Sequence, residues 1–242
     1  AAGAKGKKMR RTWFHRVNAS GPAALVWTDL LLQARGTWLL VLMMLTCSLL
    51  ITVALGAGEY ILPDSGGLFL IAQFTVTLAS AMMFGQTGFI DFLRRVDLLK
   101  PLPFSATVIV VMETLAKSVT TILNLFISCA IMFALQPDSW AYSISALLGL
   151  PTVALVAGAT ALLATLLFPD IDDPSQRGLR GLLQLVATLV VLVPSGLVFA
   201  GAWILRLPPI LGSLPAAAIN LAIVFVIASV SGRLYAGYNP SE

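Results

Sequence analysis

Six blocks of apolar residues, each about long enough to cross a bilayer, alternate with short polar segments along this 242-residue chain. A helix crossing the hydrocarbon layer needs about 20 mostly apolar residues at a rise of about 1.5 Å each. The pattern predicts spans at 37–57, 67–83, 106–135, 141–168, 181–204 and 210–230. Backbone N–H and C=O groups in lipid must bond one another, which leaves helices or a closed barrel. A barrel shows short segments of alternating polarity; these blocks are continuously apolar. The predicted fold class is therefore all-α, a polytopic transmembrane helical bundle of about six spans. Pro151 is expected to kink the fourth span, and Pro194 lies inside the fifth. The 205–215 segment carries Pro208, Pro209 and Pro215. It reads either as a short loop or as a re-entrant element shielded by protein.

Two further segments are amphipathic. In 20–35, Ser20 is placed to cap a helix and Pro22 falls in its first turn. Trp27, Leu30, Leu31 and Ala34 share one face, opposite Asp29 and Gln33. This predicts an interfacial helix lying along the membrane ahead of the first span. In 89–100, Phe89, Phe92, Leu93, Val96 and Leu99 form a stripe at helical spacing, with Asp91, Arg94 and Arg95 on the other face. Pro101 and Pro103 end it. The segment predicts a short helix between spans two and three. Its charged face reads equally as a solvated connector or as a partner surface.

Charge assigns the two sides. Basic residues fall in the tail (Lys5, Lys7, Lys8, Arg10, Arg11, Arg16), at Arg35, at Arg94, Arg95 and Lys100, at Arg177 and Arg180, and at Arg233. The opposite loops hold Glu59, Asp64 and Asp138, with Arg206 the one basic residue among them. Short-loop Lys and Arg favour the cytoplasm, so both termini are expected there, in a cell inner (plasma) membrane. The layout is a basic tail or linker at 1–19, the interfacial helix at 20–35, a six-span domain at 36–232 and a cytoplasmic tail at 233–242. The tail cluster suits water or lipid phosphates rather than nucleic acid, which would need a folded domain. The start Ala-Ala-Gly-Ala-Lys-Gly-Lys-Lys, without Met, reads as a linker inside a longer protein. Asn18-Ala19-Ser20 matches a glycosylation acceptor but lies on the predicted cytoplasmic side.

The candidate chemistry is sparse. The one histidine, His15, lies in the tail, and there is no Gly-rich phosphate loop with Lys-Ser/Thr. The sequence thus predicts no metal, no cofactor, and no ATP binding or catalysis by this chain alone. Cys47 and Cys129 fall inside spans and read as small apolar residues. Asp170, Asp172 and Asp173 could ligate a hard cation. Asp173-Pro174-Ser175-Gln176 instead reads as a helix start, with an acceptor at the cap and proline next. Glu113 and Lys117, four apart in the third block, share a face and are expected to pair. That pair reads either as interfacial charge or as a transport or proton-relay site.

Two stretches carry a resemblance. Arg94-Arg95-Val96-Asp97-Leu98-Leu99-Lys100-Pro101-Leu102-Pro103-Phe104-Ser105 is similar to the D-x-L-L-K-x-L-P-x-S run of bacterial ABC exporter permeases. Ala23-Ala24-Leu25-Val26-Trp27-Thr28-Asp29-Leu30 resembles their A-L-x-W-K-E-L helix, with Thr28-Asp29 where Lys-Glu is usual. In layout the whole chain resembles the permease subunit of an ABC-2 type exporter. The resemblance implies docking of the 89–100 helix onto a separate ATP-binding cassette subunit, through Asp91, Arg94, Arg95, Asp97 and Lys100. It also implies a homodimer or a second membrane half, rocked by ATP-driven closure of the partner. A secondary transporter or channel, or a non-transporting scaffold, are the alternatives; the former relies on Glu113 as its one carboxylate deep in a span.

Overall fold

The computed structural model describes residues 21–36, 38–58, 65–170 and 173–238. The Lys5–Arg16 cluster, His15, Asn18-Ala19-Ser20, Glu59, Asp64, Asp172 and residues 239–242 lie outside them. The chain is an all-helical bundle: α1 (Ala23–Gly36), α2 (Trp38–Ala57), α3 (Ser65–Arg94), the single turn α4 (Val96–Leu99), α5 (Ala106–Leu135), α6 (Trp140–Leu167), α7 (Pro174–Ile204) and α8 (Pro209–Gly237). No strand occurs among the described residues. Helices α3, α5, α6, α7 and α8 are long and apolar enough to cross a membrane, and α2 is a 20-residue apolar helix without a charge.

The bundle buries many of its polar side chains beside an apolar core and turns large apolar ones outward. On α7 the buried positions are Arg180, Gln184, Thr188, Leu192 and Ser195. Leu182, Leu185, Leu189, Val190, Val193 and Leu197 of the same helix point outward. On α5, Glu113, Lys117, Thr121, Asn124 and Ser128 turn inward, while Leu123, Phe126 and Phe133 are exposed. A surface so apolar has no place in water. In lipid it is the expected solvent contact, and helices associate through small residues and hydrogen bonds instead. Such bonds join the helices here: Ser48 to Ser128 at 2.9 Å, Gln73 to Thr52 at 2.9 Å, Ser65 to Gln136 at 2.8 Å and Thr160 to Thr188 at 2.6 Å. Helix α6, rich in buried alanine, sits at the centre against α3, α5, α7 and α8.

Two apolar clusters mark the two ends. One joins Phe69 and Leu70 of α3 with Leu125, Cys129 and Met132 of α5 and Leu150 of α6. The other joins the end of α3, α4, the start of α5, the end of α6 and the end of α8, through Phe92, Val96, Ile109, Leu162 and Tyr235. Arg94, Arg95, Lys100, Arg177, Arg180 and Arg233 belong to segments at this second end.

Several predicted elements take a different form. No separate helix covers 89–100, because α3 runs on unbroken to Arg94 and only one further turn follows. Gly85, within α3, serves close packing: a Cβ there would lie 2.6 Å from the Ala161 Cβ of α6. The proline-rich segment is mostly helix. Residues 205–208 turn, with Arg206 at φ 54°, and α8 starts at Pro209. Proline at the first helical position lacks only an N–H that would be unpaired anyway. Pro151, Pro194 and Pro215 lie within continuous helices, and α8 reaches Gly237, so Arg233 is helical rather than part of a tail. Helix α7 begins at Pro174, where Asp173 caps it by accepting from the Ser175 N–H at 2.8 Å. The Ser175 hydroxyl and N–H together hold the Asp173 carboxyl below its ordinary range.

A candidate coupling corner

The join of α3 to α4 builds a surface from the inside out. Phe89, Phe92, Leu93, Val96 and Leu99 are all buried in the apolar cluster at this end. The Phe92 ring lies 5.5 Å from Tyr235 of α8. Helical spacing then turns Asp91, Arg94, Asp97, Leu98 and Lys100 outward, and all five are exposed. Leu98, at 74% exposure, is an unusually bare leucine on a charged rim. Asp91 pairs with Arg94 at 3.7 Å on the surface. Lys100 donates from Nζ to the Tyr238 carbonyl, tying the corner to the end of α8. Ser105 caps α5 by accepting from the Val108 N–H.

Arg95 departs from the expected water-facing arrangement. It occupies the break between α3 and α4, with φ −103° and ψ 3°, and its side chain turns inward. Its Nε donates to the Asp91 carbonyl at 3.1 Å, and its Nη2 meets Asp29 Oδ1 at 2.8 Å. Asp29 itself, expected on the solvent face of the interfacial helix, is fully buried. Its other oxygen, Oδ2, takes Lys117 Nζ at 2.5 Å and Gln33 Nε2 at 3.1 Å. Gln33 continues to α5, donating to the Ala116 carbonyl at 3.3 Å and accepting from Thr120 Oγ1 at 3.1 Å. One carboxylate of α1 thus gathers a cation from the α3–α4 corner and another from α5.

The expected Glu113–Lys117 pair gives way to pairing across elements. Lys117 goes to Asp29, and Glu113 Oε2 finds Arg95 Nη2 at 3.6 Å. Neither Glu113 oxygen has a hydrogen-bond partner, although both are buried. The two acids and two bases form one group that joins three elements. Opposite charges within reach of one another are what let ionisable groups persist in a buried site. Of the residues singled out in the sequence, the fold brings Arg95, Glu113 and Lys117 together. It leaves Asp91, Arg94, Asp97 and Lys100 on the outer rim. Asp29 and Gln33 are the members that sequence reasoning misplaced. Their four-residue spacing put them on one helical face, but nothing local said that the face meets protein.

Residues 1–236 match the family model described as "Putative ABC exporter". No curated protein and no solved structure matches the chain significantly. The match covers almost the entire sequence, and the bundle it covers has five helices long and apolar enough to cross a membrane: the chain belongs to the ABC exporter family.

Proposed function

We propose that this chain is the membrane permease part of an ATP-driven exporter and that an ATP-binding cassette subunit docks on the α3–α4 corner. The observation that carries the reading is the corner's two-sidedness. Five apolar side chains root it in the core, while Asp91, Arg94, Asp97, Leu98 and Lys100 stand out as a mixed-charge rim around one bare leucine. A surface with an apolar centre and a polar rim is how protein interfaces are built. The basic bias of this end supports its facing the cytoplasm, where ATP is available. Movement of the docked corner reaches the bundle through Arg95, which is held by α1 at Asp29 and faces α5 at Glu113. A second membrane half, from a homodimer or a longer chain, completes the transporter in this reading.

The test is Arg94→Glu combined with Leu98→Asp. Both side chains are exposed, so yield and thermal stability should stay near those of the parent. Co-purification of the cassette subunit should be lost, since breaking one charge pair buried in an interface costs about 2–5 kcal/mol. A variant that keeps both its partner and its transport activity sinks the docking site.

A second reading, proton-coupled transport without a cassette subunit, draws on the buried Glu113 carboxylate that lacks hydrogen-bond partners. It requires Glu113→Gln to stop transport and removal of the ATPase to leave it intact. The exporter reading requires the reverse for the ATPase.

A further inference from the structure

The half of the bundle away from the coupling corner contains a cavity of about 300 Å³ between α3, α6, α7 and α8. Ile71 and Phe74 of α3, Gly149 of α6, Gly196 and Phe199 of α7, and Asn220 of α8 are among its walls. Helices α3 and α7 meet near the basic end, where Gln184 Nε2 donates to the Met82 carbonyl at 3.3 Å. Further along, the cavity lies between them, and the exposed Ile71 and Phe74 mark its mouth on the lipid-facing surface.

The walls are apolar in effect. The hydroxyls of Ser145, Ser195 and Ser213 donate to the backbone carbonyls of Pro209, Leu192 and Ile210, at 3.0, 3.0 and 3.1 Å. Asn220 is different. The Thr152 hydroxyl donates its hydrogen to the Gly149 carbonyl at 2.6 Å, so toward Asn220 it can only accept. This fixes the amide, with Nδ2 donating to Thr152 at 3.0 Å and Oδ1 left over. That Oδ1 is buried and has no partner. A buried acceptor without a donor costs about 1–3 kcal/mol and calls for an explanation. Small-molecule sites have this composition: an apolar concavity, at the small end of about 300–1,000 Å³, with few polar groups to fix orientation.

We propose that this cavity binds a lipophilic small molecule carrying a hydroxyl or amide N–H donor, entering sideways from the bilayer between α3 and α7. The apolar walls take the hydrocarbon part, and Asn220 Oδ1, which has almost no accessible surface as the side chain stands, accepts from the donor once the amide turns slightly toward the cavity. An ordinary acyl chain has no donor to offer and leaves the acceptor unpaired. The site belongs to this chain alone, so its test is separate from that of the coupling corner.

The test uses the full chain in phosphatidylcholine nanodiscs, without an ATPase, and a diazirine-bearing octanol as photolabel. The corresponding octane diazirine is the comparator, at equal membrane concentration. Adducts mapped by mass spectrometry should saturate and concentrate on Phe74 and Phe199. The alcohol should label these sites about five-fold more than the alkane, the worth of one net hydrogen bond. Asn220→Leu should bring that ratio to about one by removing the acceptor. Gly196→Phe should abolish saturable labelling, because a Cβ at Gly196 meets nothing within 4 Å and the ring can fill the space. Gly201→Phe, in equally open surroundings but not on the cavity wall, should label as the parent does.

Adducts spread evenly over outward residues such as Leu189 and Leu221 would overturn the proposal. So would an alcohol preference that survives Asn220→Leu, or saturable labelling in a folded Gly196→Phe protein. If Gly196→Phe does not fold, the ratio in Asn220→Leu decides, since that change keeps side-chain volume and, besides the unpaired Oδ1, removes only the Nδ2 bond to Thr152, whose hydroxyl keeps its own bond to the Gly149 carbonyl.

Discussion

Asp29 should be worth more to this fold than any other single charge at the coupling end. It is fully buried and holds two cations at once, Arg95 at 2.8 Å and Lys117 at 2.5 Å. Asp29→Asn keeps the shape and removes the charge. Lys117, 5% exposed by side chain, is then a buried cation without its counter-ion. Breaking a buried pair from one side costs about 3–5 kcal/mol. Glu113, one helical turn from Lys117 and free of hydrogen bonds, can take over part of that role. The lower end, about 3 kcal/mol, is therefore expected. For a chain of this size that is a fall of roughly 6–12 °C in melting temperature. Thermal unfolding in detergent, followed by the loss of monodisperse protein, reads it. The double variant Asp29→Asn, Lys117→Met should recover most of the loss, because an absent pair costs less than half a pair. Glu113→Gln gives up no hydrogen bond, only its longer ion pair with Arg95 at 3.6 Å, and should lower melting less than Asp29→Asn does. If Asp29→Asn melts with the parent, or the double variant is as unstable as the worse single, the buried ion group is not what joins α1 to the bundle.

Other outcomes can be checked alongside. Gly85→Val should lower thermal stability by about 1–3 kcal/mol, the usual cost of overpacking, because even a Cβ at Gly85 would sit 2.6 Å from Ala161. Gly178→Ala, where a Cβ meets nothing, should stay within about 1 kcal/mol by the same melt. In a background lacking Cys47 and Cys129, a cysteine at Asp138 should react with an impermeant thiol reagent outside intact cells, and one at Gly178 should not. Both positions are exposed, so reversed labelling refutes the orientation rather than reporting burial. Phe92→Asp should block folding outright, since Phe92 is fully buried against Tyr235.

That this chain is a helical membrane bundle was legible from its residues alone. Lipid forces every backbone group into an internal bond, so long apolar blocks can only be helices, and their composition is read without knowing their neighbours. Residue spacing also decided which side chains share a helical face. The stripe Phe89, Phe92, Leu93, Val96 and Leu99 was legible at 3.6-residue spacing and is buried in the fold. What each face meets depends on how the helices pack. On α1, the face of Asp29 and Gln33 has the same pattern whether it meets water or other helices, and at the membrane surface local spacing cannot choose. The fold chose the bundle, because Arg95 and Lys117 arrive there from segments far along the chain, Arg95 from 66 residues away. The Glu113–Lys117 expectation met the same limit. Four-residue spacing makes two side chains neighbours, but a carboxylate already fixed on another helix at 2.5 Å outbids a neighbour on the same one. Gly85 adds a position on which the sequence was silent: only the packed position of Ala161, 2.6 Å from where a Cβ would stand, shows that two helices approach closely there.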